Sequence, residues 1–253
     1  MATTADYLNK LVEQKNALAD NLVTKGVTAT HDETLETLVP KVLDISGGGE
    51  SIKYITDGLI GYSDLNDPFA FNPVFDEALG RNVNYCDGSN GYFKSSNNTV
   101  IPQLTGNITL QVLCKTSTSG AWGEIIVVGT VNGKSAISLG RNENGYLAIS
   151  DASSAIVTNT IINNDSWHML TVTYSNGVVC TYVDGVCVGT YNNNINIPSN
   201  SVITIGQWLT GVSKYIGYAT NACIYNRALP DAEIIQNWEV DVERYGIGET
   251  KTY

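Results

Sequence analysis

At 253 residues, 43% hydrophobic and 15% charged, the chain is long enough for one sizeable core and a small appendage. Its formal net charge of -11 makes an anionic surface that repels phosphate backbones and anionic lipid, which argues against a nucleic acid partner. No apolar run approaches the roughly 20 residues that span a bilayer, and "MATTADYLNK" has neither a basic n-region nor an apolar h-region, so no membrane insertion and synthesis in a cytoplasm are expected.

The opening stretch "ADYLNKLVEQKNALADNL" places Leu8, Leu11, Val12, Leu18, Ala19 and Leu22 on one stripe of an amphipathic helix, which Gly26 ends. Thr30 followed by Glu33 forms a capping box for a second helix carrying Leu35, Leu38, Val39, Val42 and Leu43, interrupted or kinked by Pro40. His31, beside the capping residue, has no obvious partner and reads as solvated. Two short helices with one apolar stripe each do not build a core alone. Residues 1–46 are therefore expected to anchor or oligomerise through Leu8, Leu11, Leu18, Leu22, Leu35, Leu38 and Val42. The spacing Leu8, Leu11, Lys15, Leu18, Leu22 nearly follows a coiled-coil register, best suited to three strands, with Lys15 weakening it. The alternative is a helix packed on its own domain. A Gly-rich hinge at 47–51 follows.

Residues 52–253 change to a strand pattern: "NITLQVLCKTS", "WGEIIVVGTV", "SAISLG", "GYLAIS", "HMLTVTYS", "GVVCTYVDGVCVGTY" and "SVITIGQW" are short, rich in β-branched and aromatic residues, and separated by Gly/Asn/Ser/Asp turns. Such spacing predicts a mainly β, antiparallel two-sheet sandwich. Hairpin turns are expected at Asn142–Gly145, Ser175–Gly177 and Val183–Val186. Near the end Ile234, Trp238 and Val242 mark a closing helix, with Asp231 and Glu233 in its first turn. The five cysteines, Cys86, Cys114, Cys180, Cys187 and Cys223, show no CxxC or metal spacing and read as buried thiols, with Cys180 and Cys187 diagonal across a hairpin and beyond disulfide reach.

Four motifs in register, "YCDGSNGYF" from Tyr85, "WHMLTVTYSNGVVCTYVDGVCVG" from Trp167, "ITIGQ" from Ile203 and "ACIYNRALPDAEI" from Ala222, resemble the concanavalin A-like laminin G module over roughly Ile55 to Tyr245. The resemblance implies a jelly-roll sandwich and places Trp167 in the core; Pro230 stands where such modules usually carry a capping Ser or Thr. The segments Ala5–Val27 and Asp32–Ile45 resemble the N-terminal anchors of bacteriophage tail, baseplate or head-fibre proteins.

Glucanases share this sandwich, and a retaining one needs two or three carboxylates alternating along a strand, about 5 to 5.5 Å apart on one face. No E-x-D-x-E run exists here: Glu124 stands alone on its strand, while Asp76, Glu77, Asp64 and Asp67 fall in loops. His168 reads as a structural histidine, and neither a G-x-S-x-G elbow nor a phosphate-binding glycine loop is present. Binding remains, because sugar rings stack on aromatic faces and amides meet their hydroxyls. Trp122, Trp208 and Tyr215 stand in loop contexts and are the candidate ligand contacts, against a role in strand-edge packing. Calcium, the usual accessory in such modules, would be offered Asp64, Asp67 and Asp87, though no spacing specifies a site.

The expectation is a non-enzymatic phage virion protein, made in the bacterial host cytoplasm. It would be fastened to other virion proteins by its helices, trimeric, and bound through its sandwich to host-surface glycan. The rivals are a purely structural decoration or baseplate protein and, third, a polysaccharide depolymerase.

Overall fold

The computed structural model describes residues 4–24, 28–41, 53–63, 73–94, 106–130, 132–133, 136–151, 153–197 and 201–248. Two compact units divide the chain, Met1–Lys53 and Tyr54–Tyr253.

In the first unit, α1 (Thr4–Thr24) and α2 (Leu35–Lys41) bury Ala19, Leu22 and Leu38 together with Ala29 of the connecting segment, with Leu18 half-buried at the edge. The helix pair thus has a small core of its own, contrary to expectation. Leu8, Leu11 and Leu35 remain exposed, as do Tyr7, Val12 and Val39; Val42, Leu43 and the Gly-rich hinge lie outside the described residues. The second helix begins at Leu35 rather than after Thr30. Glu33 does accept from the Thr30 backbone N–H (2.8 Å), but this half of the capping box closes a turn ahead of the helix. The Lys15 ammonium donates to the carbonyls of His31 and Glu33, tying α1 to that turn. His31 is not unpartnered, its Nε2 lying 2.7 Å from Asp20 Oδ1.

The second unit is a two-sheet antiparallel sandwich, as the strand pattern predicts. One sheet runs in the order β12 (Val186–Asn192), β11 (Val178–Val183), β10 (Trp167–Ser175), β5 (Ile108–Lys115), β14 (Ile216–Tyr225), β3 (Arg81–Asp87) and β2 (Pro73–Asp76), with β1 (Leu59–Ser63) also on β14. The other runs β4 (Phe93–Lys94), β13 (Val202–Ile205), β6 (Gly123–Gly129), β7 (Ala136–Arg141), β8 (Tyr146–Ser150) and β9 (Ala155–Ile161). Between the sheets lie Leu110, Val112, Ile126, Val128, Leu139 and Val172, among others. A second core forms where α3 (Asp231–Tyr245) lays Ile234 and Trp238 against Leu113, Trp167 and Met169. Pro230 is the cap of α3 and makes no side-chain cap bond.

Asn176 and Asp184 adopt positive φ before Gly177 and Gly185, so both two-residue hairpins form where the turn residues place them. His168 and Asp184 then pin one hairpin tip to β10, with His168 Nδ1 2.8 Å from Asp184 Oδ2 and Met169 N–H donating to Asp184 Oδ1 at 3.0 Å. The cysteines depart from expectation: Cys86, Cys114 and Cys223 are buried, but Cys180 is half-buried and Cys187 exposed. A register shift at Thr181/Tyr182 sets Cys187 opposite Tyr182 and Cys180 opposite Thr190, and all five thiols are free. Asp76 is not in a loop; it ends β2, buried and paired with Lys115 at 2.5 Å.

Candidate functional site

The site begins with an irregularity in β6. Its register against β7 shifts between Glu124 and Ile126, a bulge that sets two residues of one strand against one of the other. Ile125, Ile126 and Val128 face the core between the sheets. Val127 instead joins Ala136, Val202, Leu209 and the edge of Trp208 in a separate cluster. Glu124 sits opposite Gly140, so closely that a Cβ on Gly140 would lie 2.8 Å from Glu124 Oε2.

The chain after β13 folds over this stretch as a hydrogen-bonded lobe. Trp208 N–H donates to the Val212 carbonyl (2.9 Å), and Glu124 N–H donates to the Ser213 carbonyl (2.9 Å). Ser213 holds φ +48°, an uncommon conformation for a residue other than glycine, at the rim of the site. On the other side, β8 ends at Ser150, and Asp151 caps the turn behind it. Asp151 Oδ1 accepts the backbone N–H groups of Ser153 and Ser154, both at 2.6 Å, and the Ser153 hydroxyl at 2.9 Å. Asp151 Oδ2 accepts the Ser154 hydroxyl (2.8 Å) and Asn193 Nδ2 (3.2 Å).

Together these segments enclose an open cleft of about 390 Å³, lined by Trp122, Glu124, Ser150, Asp151, Ser153, Ser154, Ala155, Trp208, Val212 and Ser213. Trp122 and Trp208, the two tryptophans singled out in the sequence, are both half-buried and meet on it. Tyr215 does not. Its ring is completely buried between the sheets and its hydroxyl donates to the Lys115 carbonyl at 3.0 Å, so the sequence assignment of Tyr215 as a ligand contact is corrected.

The two carboxyl groups in the cleft have opposite electrostatics. Burial pushes the Glu124 carboxyl up to about 7, with the Ser138 and Ser150 hydroxyls only partly opposing it. Burial also works against the charge of Asp151, but the Ser153 and Ser154 donors outweigh it and hold that carboxyl below the usual range. Near neutral pH the cleft therefore offers one carboxyl that readily keeps its proton and one fixed anion. Sequence reasoning weighed Glu124 only as an isolated acid and passed over "SDASSA", whose Asp and Ser residues after a strand are the signature of a side-chain-capped turn.

Asp87, a candidate for calcium, instead closes its own turn, accepting from the backbone N–H groups of Ser89 (2.7 Å) and Asn90 (2.5 Å). Asp64 and Asp67 lie outside the described residues. Among the described residues no three His, Cys, Asp or Glu side chains converge, so they do not fit a calcium site of clustered carboxylates. No helix among them is long and apolar enough to cross a membrane.

A family model described as the concanavalin A-like lectin/glucanases superfamily, of laminin G type, matches residues 87–235, more than half of the chain. This chain belongs to that superfamily. None of the curated proteins matches it in sequence. Among solved structures, domain 4 of an extracellular arabinanase from Geobacillus stearothermophilus, in complex with arabinotriose, is similar at a TM-score of 0.55 and 14% identity. That match covers 71% of this chain and 97% of that one. A sialidase from Trypanosoma rangeli is similar at a TM-score of 0.53 and 15% identity, covering 72% of this chain and 32% of that one. At such identities the likeness is one of fold.

Proposed function

We propose that the protein is a non-enzymatic, carbohydrate-binding component of a bacteriophage particle, whose sandwich engages host-surface glycan and whose N-terminal helices fasten it to other particle proteins as a homotrimer. The observation that carries the binding reading is the meeting of Trp122 and Trp208 with four serine hydroxyls on one open cleft. Half-buried indole faces take the apolar side of a pyranose or furanose, and hydroxyls and carboxyls take its polar rim. The arabinanase domain with arabinotriose is a sugar complex on the same sandwich. The anchoring reading is supported by Tyr7, Leu8, Leu11, Val12, Leu35 and Val39, apolar side chains left exposed on α1 and α2. Their resemblance to phage fibre anchors gives the virion setting.

A second reading, a polysaccharide depolymerase, is favoured by one observation: Glu124 and Asp151 line the same cleft with their proton affinities driven apart, the pattern of an acid paired with a carboxylate. Against it, both oxygens of Asp151 are occupied by donors of its own turn and, at Oδ2, by Asn193, leaving no free carboxylate to attack a sugar or activate water.

Incubation of the full chain with capsule and cell-wall polysaccharides separates the readings. Expected is retention on the polymer with no release of reducing ends. Release that Glu124→Gln abolishes would replace the adhesin with a hydrolase. Masses in solution of the full chain and of residues 54–253 test the helices, with a trimer expected of the first and a monomer of the second.

A further inference from the structure

The residues around the cleft also bear on which saccharides it accepts. Among its described lining residues none is Lys, Arg or His, while Asp151 stands in its wall as a fixed anion. The cations nearest in sequence point elsewhere. Lys214, next to the lining residue Ser213, places its ammonium 5.2 Å from the centre of the Tyr92 ring and 3.4 Å from the Gly88 carbonyl. Arg141, opposite Gly123 in the β6–β7 pair, is buried, and its guanidinium donates to the Ala121 carbonyl and the Thr118 hydroxyl, both at 2.7 Å. Both basic groups hold loops in place.

We infer that the cleft selects saccharides that carry no carboxylate, excluding sialylated and uronate glycans; the inference rests on the glycan-binding reading above. A ligand carboxylate entering here would surrender its hydration beside Asp151, with no guanidinium or ammonium among the described lining residues to receive it. It would also approach a chain of formal net charge -11. Sugar hydroxyls meet no such penalty, because each both donates and accepts: the oxygens of Ser153 and Ser154, whose protons are committed to Asp151, accept from them, and the Ser213 hydroxyl meets them either way.

The test uses the full chain and a glycan panel containing uncharged glucans, galactans, mannans and arabinans beside sialylated and uronate oligosaccharides. The tightest uncharged binder is then titrated against its counterpart oxidised to a carboxylate at C6. Expected is binding confined to the uncharged set, with the oxidised counterpart at least about tenfold weaker and the difference shrinking at high salt. Val212→Lys, at an exposed position on the cleft, is expected to narrow the ratio of the two affinities, both measured on that variant, by about threefold or more. A carboxylated glycan held as tightly as its uncharged counterpart, or a difference indifferent to Val212→Lys, overturns selection by charge. Silence toward every glycan overturns the binding reading itself, and this inference with it.

Discussion

The Ser150 hydroxyl donates to Glu124 Oε1 at 3.0 Å, linking the end of β8 to the bulge of β6 in the floor of the cleft. The neutral Ser138 and Ser150 hydroxyls do not offset the loss of hydration of a carboxylate that is 3% exposed, so Glu124 favours its protonated form. Its folded value, about 7, lies above the ordinary 4.5. Between the two the folded chain holds the extra proton, so stability is greatest below the window and is lost as pH rises through it. The loss from this group is about 3 kcal/mol. Asp241, a buried residue of α3 raised to about 6, adds a loss of the same sign in a lower window. Denaturant unfolding of Glu124→Gln is expected to show a variant more stable than its parent near about pH 8 and close to it near about pH 5. Equal differences at both values would mean that Glu124 is not held neutral.

Gly140 admits Glu124 to its place. A Cβ there would stand 2.4 Å from the Gly123 carbonyl oxygen and 3.0 Å from the Glu124 Cα, both backbone atoms of the paired strand. Gly140→Ala is expected to cost about 2 kcal/mol of unfolding free energy by forcing β7 from β6. It should also weaken the pH dependence assigned to Glu124, which a substitution away from the bulge would leave intact.

Asp76 and Lys115 form a largely buried ion pair, with Trp167 Nε1 donating to Asp76 Oδ1 at 3.2 Å and the Lys115 ammonium 4.7 Å from the Tyr218 ring centre. Desolvation opposes the charge of Asp76, but Lys115, the Leu79 N–H and Trp167 together hold its carboxyl below the ordinary 3.8. The stability it lends is present above that value and lost as pH falls below it. Asp76→Asn leaves the ammonium without its counter-charge and is expected to cost about 3 kcal/mol at neutral pH, shrinking in acid. Thermal unfolding at the two pH extremes measures both.

Much of the sandwich was legible because its determinants are local. Asn176-Gly177 and Asp184-Gly185 accept positive φ wherever they occur, and the β-branched runs around them have the length of strands. The candidate site was half legible. Trp122 and Trp208 announce themselves as large aromatics in turn-rich segments, and both reach the cleft. Tyr215 has the same local context, yet the lobe from Gly206 turns it inward, since its N–H donates back to the Gly206 carbonyl at 2.8 Å. The bulge at Glu124 was illegible because it is a property of the pairing with β7, which Gly140 permits from another strand. In the helix pair, the role of Lys15 was illegible for a related reason: it ties α1 to the turn before α2, a partner far along the chain.

The most direct measurement is titration of the full chain, and of its Trp122→Ala and Trp208→Ala variants, with the tightest glycan found for the parent. Trp208 also packs on Val127 and Leu209, so its loss is expected to lower stability by about 1 to 3 kcal/mol, whereas Trp122→Ala should leave the unfolding midpoint nearly in place. Each variant is expected to weaken binding by about tenfold or more while the sandwich stays folded, as the loss of one stacked ring dictates. A folded Trp122→Ala variant that binds glycan as tightly as its parent would contradict the assignment of this cleft as the binding site.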